Sequence, residues 1–186
     1  MRRILLARHG ETAWNALGRL QGHTDIPLNE TGRAQARALA DGVAAAGIAA
    51  VVTSDLARAR ETGEIVAAAL GLAAPVIEPG LRERRFGVFE GLTRDECATH
   101  HPEAWRAWEE RTGGPADSEP RAAAIARMAD ALARIATGGG DPALVISHGG
   151  VMRLWLMEIL GEDVRGIANA AVYVVEHDGR GFRVHR

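Results

Sequence analysis

The stretch from Ile4 to Asn15, ILLARHGETAWN, decides the fold, because a short apolar run breaks at once into arginine, histidine and glycine. Residues 4–7 read as a buried strand, and Arg8-His9-Gly10 as the turn at its carboxyl end. Two further apolar runs end alike. Residues 50–53 lead into Ser54-Asp55-Leu56-Ala57-Arg58, and residues 143–146 into Ser147-His148-Gly149-Gly150. Ligands of open α/β sheets bind beyond the carboxyl ends of the strands. If the three strands run parallel, Arg8, His9, Arg58 and His148 converge on one positive pocket with two imidazoles, which suits a phosphate.

Working outward, residues 17–29 form a loop with turn residues Gly18, Gly22, Asp25 and Pro27, expected to lie ordered over the site. Asn29 or Thr31 caps a helix over 32–46, with Gly47 just past its end. A strand over 48–53 precedes a helix over 56–70, which Gly71 stops, and a short strand over 75–78 leads into an irregular segment, 79–92. Helices follow over 93–100 and 102–111, the second starting with proline in its favoured first position. The Gly- and Pro-rich loop 113–120 is expected to be mobile. After it come a long amphipathic helix over 121–136, the third strand, and a helix over 151–160. Strands over 170–176 and 182–185, joined at Asp178-Gly179, close the chain; the first of them is expected to be apolar on both faces. This alternation predicts an α/β fold, a three-layer α/β/α sandwich with a mainly parallel central sheet, in one domain over 1–186.

At 186 residues and 47% hydrophobic content the chain can bury a full core. Its net charge of -2, with acids and arginines interspersed, argues against nucleic acid or a membrane surface as the main partner. There is no lysine, so an anion site must use arginine, histidine or backbone N–H. Cys97 is alone, which excludes an internal disulfide and favours a reduced, cytoplasmic setting. Residues 4–7 are too few for a signal-peptide core, and no run approaches the roughly 20 apolar residues of a membrane span.

Four segments, in order, carry a resemblance: Arg8-His9-Gly10-Glu11-Thr12 followed by Asn15 and Gln21-Gly22, then Ser54 to Ala59, then Leu81-Arg82-Glu83 with Phe86 to Gly91, and Ser147-His148-Gly149-Gly150. Together they resemble the histidine phosphatase superfamily, the group that includes the cofactor-dependent phosphoglycerate mutases. The likeness spans nearly the whole chain. It implies His9 as the nucleophile, a neutral imidazole that holds the phosphoryl group covalently. Neighbouring arginines help, since like charge disfavours imidazolium. Arg8 and Arg58 offer planar donor forks for phosphoryl oxygens. The resemblance implies that His148 contacts the same group as a hydrogen-bond donor, and makes Asn15, Gln21 and Gly22 further phosphate contacts. Gly149 is expected to present its N–H at a helix start.

Glu83 is the expected proton donor to the leaving alkoxide and then the base for the attacking water, acting best at mildly acidic pH with substrate bound. Glu11 and Glu90 are weaker candidates. Adjacent His100 and His101 point about 100° apart on a helix, and no histidine spacing suggests a metal; no metal or other cofactor is implied. Trp105 and Trp108 read first as helix packing.

The expected partner is a small phosphorylated substrate, and the chain a monomer or a homodimer. Mutases of the superfamily are longer, so a phosphomonoesterase is the first reading. A 2,3-bisphosphoglycerate-dependent mutase is the second, and a non-catalytic phospho-ligand or partner-binding module the third. Two departures stand out. Gly113 to Glu119 replaces an unbroken Gly-Gly-Glu-Ser, and Gly63 stands where alanine is usual, a change expected to matter little.

Overall fold

The computed structural model describes residues 1–185. Six strands, β1 (Arg2–Arg8), β2 (Ala50–Thr53), β3 (Val76–Ile77), β4 (Ala143–Ser147), β5 (Val172–His177) and β6 (Phe182–His185), form one sheet in the order β3-β2-β4-β1-β5-β6. The first four strands in that order are mutually parallel; β5 and β6 pair antiparallel. Seven α-helices accompany the sheet among the described residues: α1 (Ala13–Ala16), α2 (Glu30–Val43), α3 (Ala57–Ala69), α4 (Arg94–His100), α5 (Pro102–Glu109), α6 (Arg121–Thr137) and α7 (Gly149–Leu160).

The pleat of β1 sorts its side chains to two faces. Leu5 and Ala7 meet Leu39, Ala40 and Val43 of α2 and Ala59, Val66 and Ala67 of α3. Ile4 and Leu6 meet Met128 and Leu132 of α6 and Met152, Trp155 and Leu156 of α7. Every residue of β4 is buried, as a parallel strand covered on both faces requires. The expected sandwich is therefore present. A third, smaller cluster, Phe89, Cys97 and Trp105 with Phe86 and Trp108 against it, lies beside the carboxyl edge of the sheet.

Several boundaries differ from expectation for local reasons. β1 begins at Arg2, because Arg2 and Arg3 pair with His177 and Glu176 of β5. α2 starts at Glu30, since the Asn29 side chain accepts from the Gly32 N–H at 2.8 Å, and its end tightens into a turn over Ala44–Ala46 before Gly47 at φ 66. The strand expected over 170–176 begins only at Val172, because Ala170 adopts φ 58. Nor is it apolar-buried on both faces: only Val175 is buried, and Val172 is 37% exposed. The short α1 was not anticipated; Thr12 and Asn15 build it with a reciprocal capping box. Among the described residues no helix is long and apolar enough to cross a membrane.

Gly63 matters more than its sequence position suggests. A Cβ there would sit 2.2 Å from Thr53 Cγ2, so α3 rests on β2 more closely than an alanine allows. Overpacking of this kind costs about 1–3 kcal/mol, against about 1 kcal/mol gained in helix propensity. Gly63→Ala is therefore expected to lower stability by about 1 kcal/mol in urea unfolding. Adding Thr53→Ser, which deletes the clashing methyl, should make the same change neutral or stabilising. A Gly63→Ala protein more stable than wild type on its own would contradict this packing.

Candidate active site

The parallel register of β1 and β4 sets Arg8 opposite Ser147. The ladder continues one residue further, the His9 N–H donating to Ser147 O at 3.0 Å. His9 and His148 thus leave the sheet side by side, ring centroids 5.1 Å apart. The Ser54 N–H donates to Ile146 O at 3.1 Å and extends β2 to the same edge. From the first turn of α3, Arg58 reaches back so that its Nε donates to His148 Nδ1 at 3.2 Å.

The partners assign each imidazole its tautomer. Gly10 O, 2.6 Å from His9 Nδ1, can only accept, so Nδ1 carries the proton and Nε2 keeps its lone pair. For His148 the logic reverses. Nδ1 accepts from Arg58, so the proton of the neutral ring sits on Nε2, which is buried and has no partner among the described residues. Burial, then the charges of Arg58 and Arg8, hold His9 well below the ordinary imidazole range. Burial, then Arg58 and His9, do the same to His148. One ring offers a nucleophile and its neighbour a donor.

Arg8 donates through Nη1 to Ile167 O at 2.6 Å, while its buried Nε has no partner. Arg58 is fully buried, which pushes it down to about 10, so it is still charged at neutral pH. Its fork is less free than expected. Nη1 donates to Thr24 O at 3.0 Å and Nη2 to Gly22 O at 2.7 Å, leaving one N–H on each terminal nitrogen for a ligand. Arg58 thereby ties the 21–24 loop to His148.

Glu83 is a buried residue, 7% exposed, instead of one solvated among Arg82, Arg84 and Arg85. Its carboxylate accepts from the N–H groups of Gly150 (2.8 Å), Val151 (2.7 Å) and Arg84 (2.8 Å). The first two are free donors of the α7 N-terminus. The N–H of Gly149, the residue expected to meet a phosphate at this helix start, is not among the groups that Glu83 takes. Gly149 is needed for another reason, since a Cβ there would come within 3.0 Å of Arg8 Nε. Glu90 and Glu11 have partners of their own. Glu90 accepts from the N–H groups of His23, Thr24 and Phe86 and from the Thr24 hydroxyl, and Glu11 Oε1 accepts from Asn29 Nδ2.

Arg8, His9, Arg58, Glu83, Asn15, Gln21, Gly22 and Gly149 line one cavity of about 340 Å³. His148 sits behind its wall, against His9 and Arg58. The Asn15 side-chain oxygen accepts from Thr12 N at 3.1 Å and that of Gln21 from the Thr12 hydroxyl at 2.9 Å, which leaves both amide nitrogens as donors. Trp108 lines the cavity as well, and Trp105 packs on Phe89. The loop 113–120 is tied down: Glu119 N–H donates to Arg85 O at 2.9 Å, Arg84 Nε to Glu119 O at 2.7 Å, and Arg127 pairs with the Glu119 carboxylate at 2.8 Å. Asn169 carried no signal in the sequence, being a lone asparagine before a strand. Its Nδ2 donates to His9 O at 3.1 Å and lies 3.3 Å from Asn15 Oδ1.

Folded His9 and His148 protonate only well below 6.5, whereas in the unfolded chain they protonate near 6.5. Below that pH the unfolded chain binds more protons. Their contribution to stability is thus complete above about pH 6.5 and is lost as pH falls, by up to about 1.4 kcal/mol per pH unit for each histidine. His148→Gln should flatten the fall in unfolding free energy between pH 6.5 and 5 by about that amount; an unchanged slope would show that the ring protonates freely in the folded state.

Comparison with known proteins agrees with this geometry. Residues 4–186 match the family model of the histidine phosphatase superfamily (branch 1). A metal-independent phosphoserine phosphatase of Arabidopsis thaliana is 37% identical over 92% of this chain and 75% of its own length. A protein named probable phosphoglycerate mutase GpmB, from Serratia proteamaculans, is 36% identical over 87% of this chain and 76% of its own. Among solved structures, a mycobacterial glucosyl-3-phosphoglycerate phosphatase complexed with VO3 superposes with a TM-score of 0.88 at 29% identity, covering 100% of this chain and 98% of the other. Sheet order, paired strand-end histidines and sequence likeness agree, and the chain belongs to the histidine phosphatase superfamily, branch 1.

Proposed function

We propose that this protein hydrolyses phosphomonoesters through a phosphohistidine on His9 Nε2. The observation that carries the reading is the opposed pair of tautomers: a buried lone pair on His9 beside a buried, unpartnered N–H on His148. A phosphoryl group seated there finds donors in Arg8 Nε, the spare N–H groups of Arg58, His148 Nε2–H and the amides of Asn15 and Gln21. These are fixed before the reaction and face the oxygens on which charge spreads.

His9 Nε2 attacks phosphorus in line, the P–O bond to the leaving group breaks, and Glu83 protonates the departing oxygen. The N–H groups of Gly150, Val151 and Arg84 then stabilise the carboxylate that remains. In the second step Glu83 takes a proton from water as its oxygen attacks the phosphohistidine, freeing phosphate and restoring His9. Positive charge at the phosphoryl group comes from guanidinium in this scheme, and we assign no metal to it. Among the described residues no group of three or more His, Cys, Asp or Glu could hold one.

Hydrolysis is preferred to phosphoryl transfer because the cavity is rimmed by the exposed residues Arg94 and Arg111, so water reaches the intermediate. Relatives named as phosphatases support this reading.

The test is release of phosphate from p-nitrophenyl phosphate with a chelator present. Wild type should turn over, and His9→Ala should lose at least about 10³-fold. Glu83→Gln should give a burst of p-nitrophenolate, which needs no proton, followed by slow turnover limited by water attack, and should lose about 10²-fold or more on alkyl phosphates. Activity that survives His9→Ala or disappears with the chelator would refute the scheme; silence of the wild type in all assays would favour a binding module.

A further inference from the structure

Eight arginines line the cavity, and Glu83 is its single acidic residue. The proposed chemistry uses two of them, Arg8 and Arg58. Three others are paired with carboxylates: Arg19 with Glu96 at 2.7 Å, and Arg111 and Arg153 with one shared Asp163, each at 2.9 Å. Arg84, Arg94 and Arg121 have no carboxylate partner among the described residues.

Arg84 is the best placed of the three. It follows Glu83 in the chain, donates its backbone N–H to the Glu83 carboxylate at 2.8 Å and lines the same cavity. Its guanidinium lies over the Trp108 ring, 3.9 Å from the centroid, and its Nε is spent on Glu119 O. Stacking on the ring leaves the Nη1 and Nη2 edge free, the edge that meets a carboxylate or phosphate with two parallel hydrogen bonds. Burial and the like charge of Arg121 both disfavour its cationic form, opposed by Glu119 and Glu83. Two unpaired guanidinium groups that repel each other across a cavity are stabilised by an anion between them.

We infer that the substrate's leaving group carries a second anion and no ammonium, held by Arg84 and Arg121 with Arg94 at the mouth. The inference rests on the hydrolytic reading of the same cavity. The exclusion of an ammonium follows from the carboxylates. Both Glu83 oxygens are occupied by N–H donors, and Glu96, Asp163 and Glu119 are each already paired with arginine. A cationic amine in this cavity would meet arginine and no free carboxylate.

Three matched esters isolate the two charges. 3-Phosphoglycerate differs from glycerol 1-phosphate by its carboxylate, and from phosphoserine by a hydroxyl in place of the ammonium. Fructose 1,6-bisphosphate against fructose 6-phosphate asks whether a second phosphate is the anion instead. At low salt, kcat/KM for at least one second-anion ester should exceed that of its partner by about tenfold or more, and phosphoserine should trail 3-phosphoglycerate by a similar factor. Both gaps should shrink as ionic strength rises. Arg121→Gln, and separately Arg84→Gln, should bring the favoured ratio to within about threefold of one.

Equal turnover within both pairs, or phosphoserine as good as 3-phosphoglycerate, overturns the inference while leaving His9-dependent hydrolysis intact. If no ester is hydrolysed, the hydrolytic reading fails instead. The subsite is then decided by calorimetric binding of the same esters to His9→Ala, where the same order is expected and equal affinities refute it.

Discussion

The register of two strands is the constraint on which the rest depends. Because Arg8 faces Ser147 in a parallel ladder, the next residue of each strand emerges at the same level, and both are histidines. A slip of one residue would send every side chain of a strand to the opposite face. Here that would move Leu5 and Ala7 from the α2 and α3 side to the α6 and α7 side, and the two core clusters hold them in place. Packing of aliphatic groups therefore sets the level at which both histidines leave the sheet, and polar contacts then orient their rings.

Electrostatics then narrows what the site can be. Arg58 is fully buried and Arg8 largely so, and the carboxylate on their side, Glu83, is tied to the start of α7. With that much positive charge in a low-dielectric setting, an imidazolium is strongly disfavoured, and both rings are neutral. Neutrality alone would leave each ring free to choose a tautomer. Gly10 O makes the choice for His9 and Arg58 Nε makes it for His148, and the two choices are opposite. Buried donors without partners are rare in folded proteins, and two of them, Arg8 Nε and His148 Nε2, belong to residues around the His9 ring. An anion that accepts from both resolves the anomaly.

Much of this was legible in the sequence because it depends on periodicity and on residues at strand ends. The strands carrying Arg8-His9, Ser54 and Ser147-His148 were short apolar runs bounded by polar residues, and their grouping needed only parallel pairing. What escaped was whatever depends on who occupies a donor first. Glu83 arrives from a distant segment and takes the N–H groups of Gly150 and Val151 at the start of α7, a pairing that no local pattern announces. Arg58 reads as an open fork, yet two of its N–H groups go to backbone carbonyls of the 21–24 loop and a third to His148. Asn169 braces the His9 carbonyl from 160 positions away in the chain, with nothing in its neighbours to mark it. The loop 113–120 has a flexible composition, but Glu119, bound to Arg84, Arg85 and Arg127, holds it against the site.

The most direct measurement is to quench the wild-type protein in alkali during turnover of a phosphomonoester and to map the phosphoryl group by tandem mass spectrometry. The account predicts an acid-labile, base-stable phosphoryl group on the His9 imidazole, formed and lost at rates that match turnover, and absent from His9→Ala. A phosphoryl group on His148 or elsewhere, or steady turnover with His9 never modified, would contradict it.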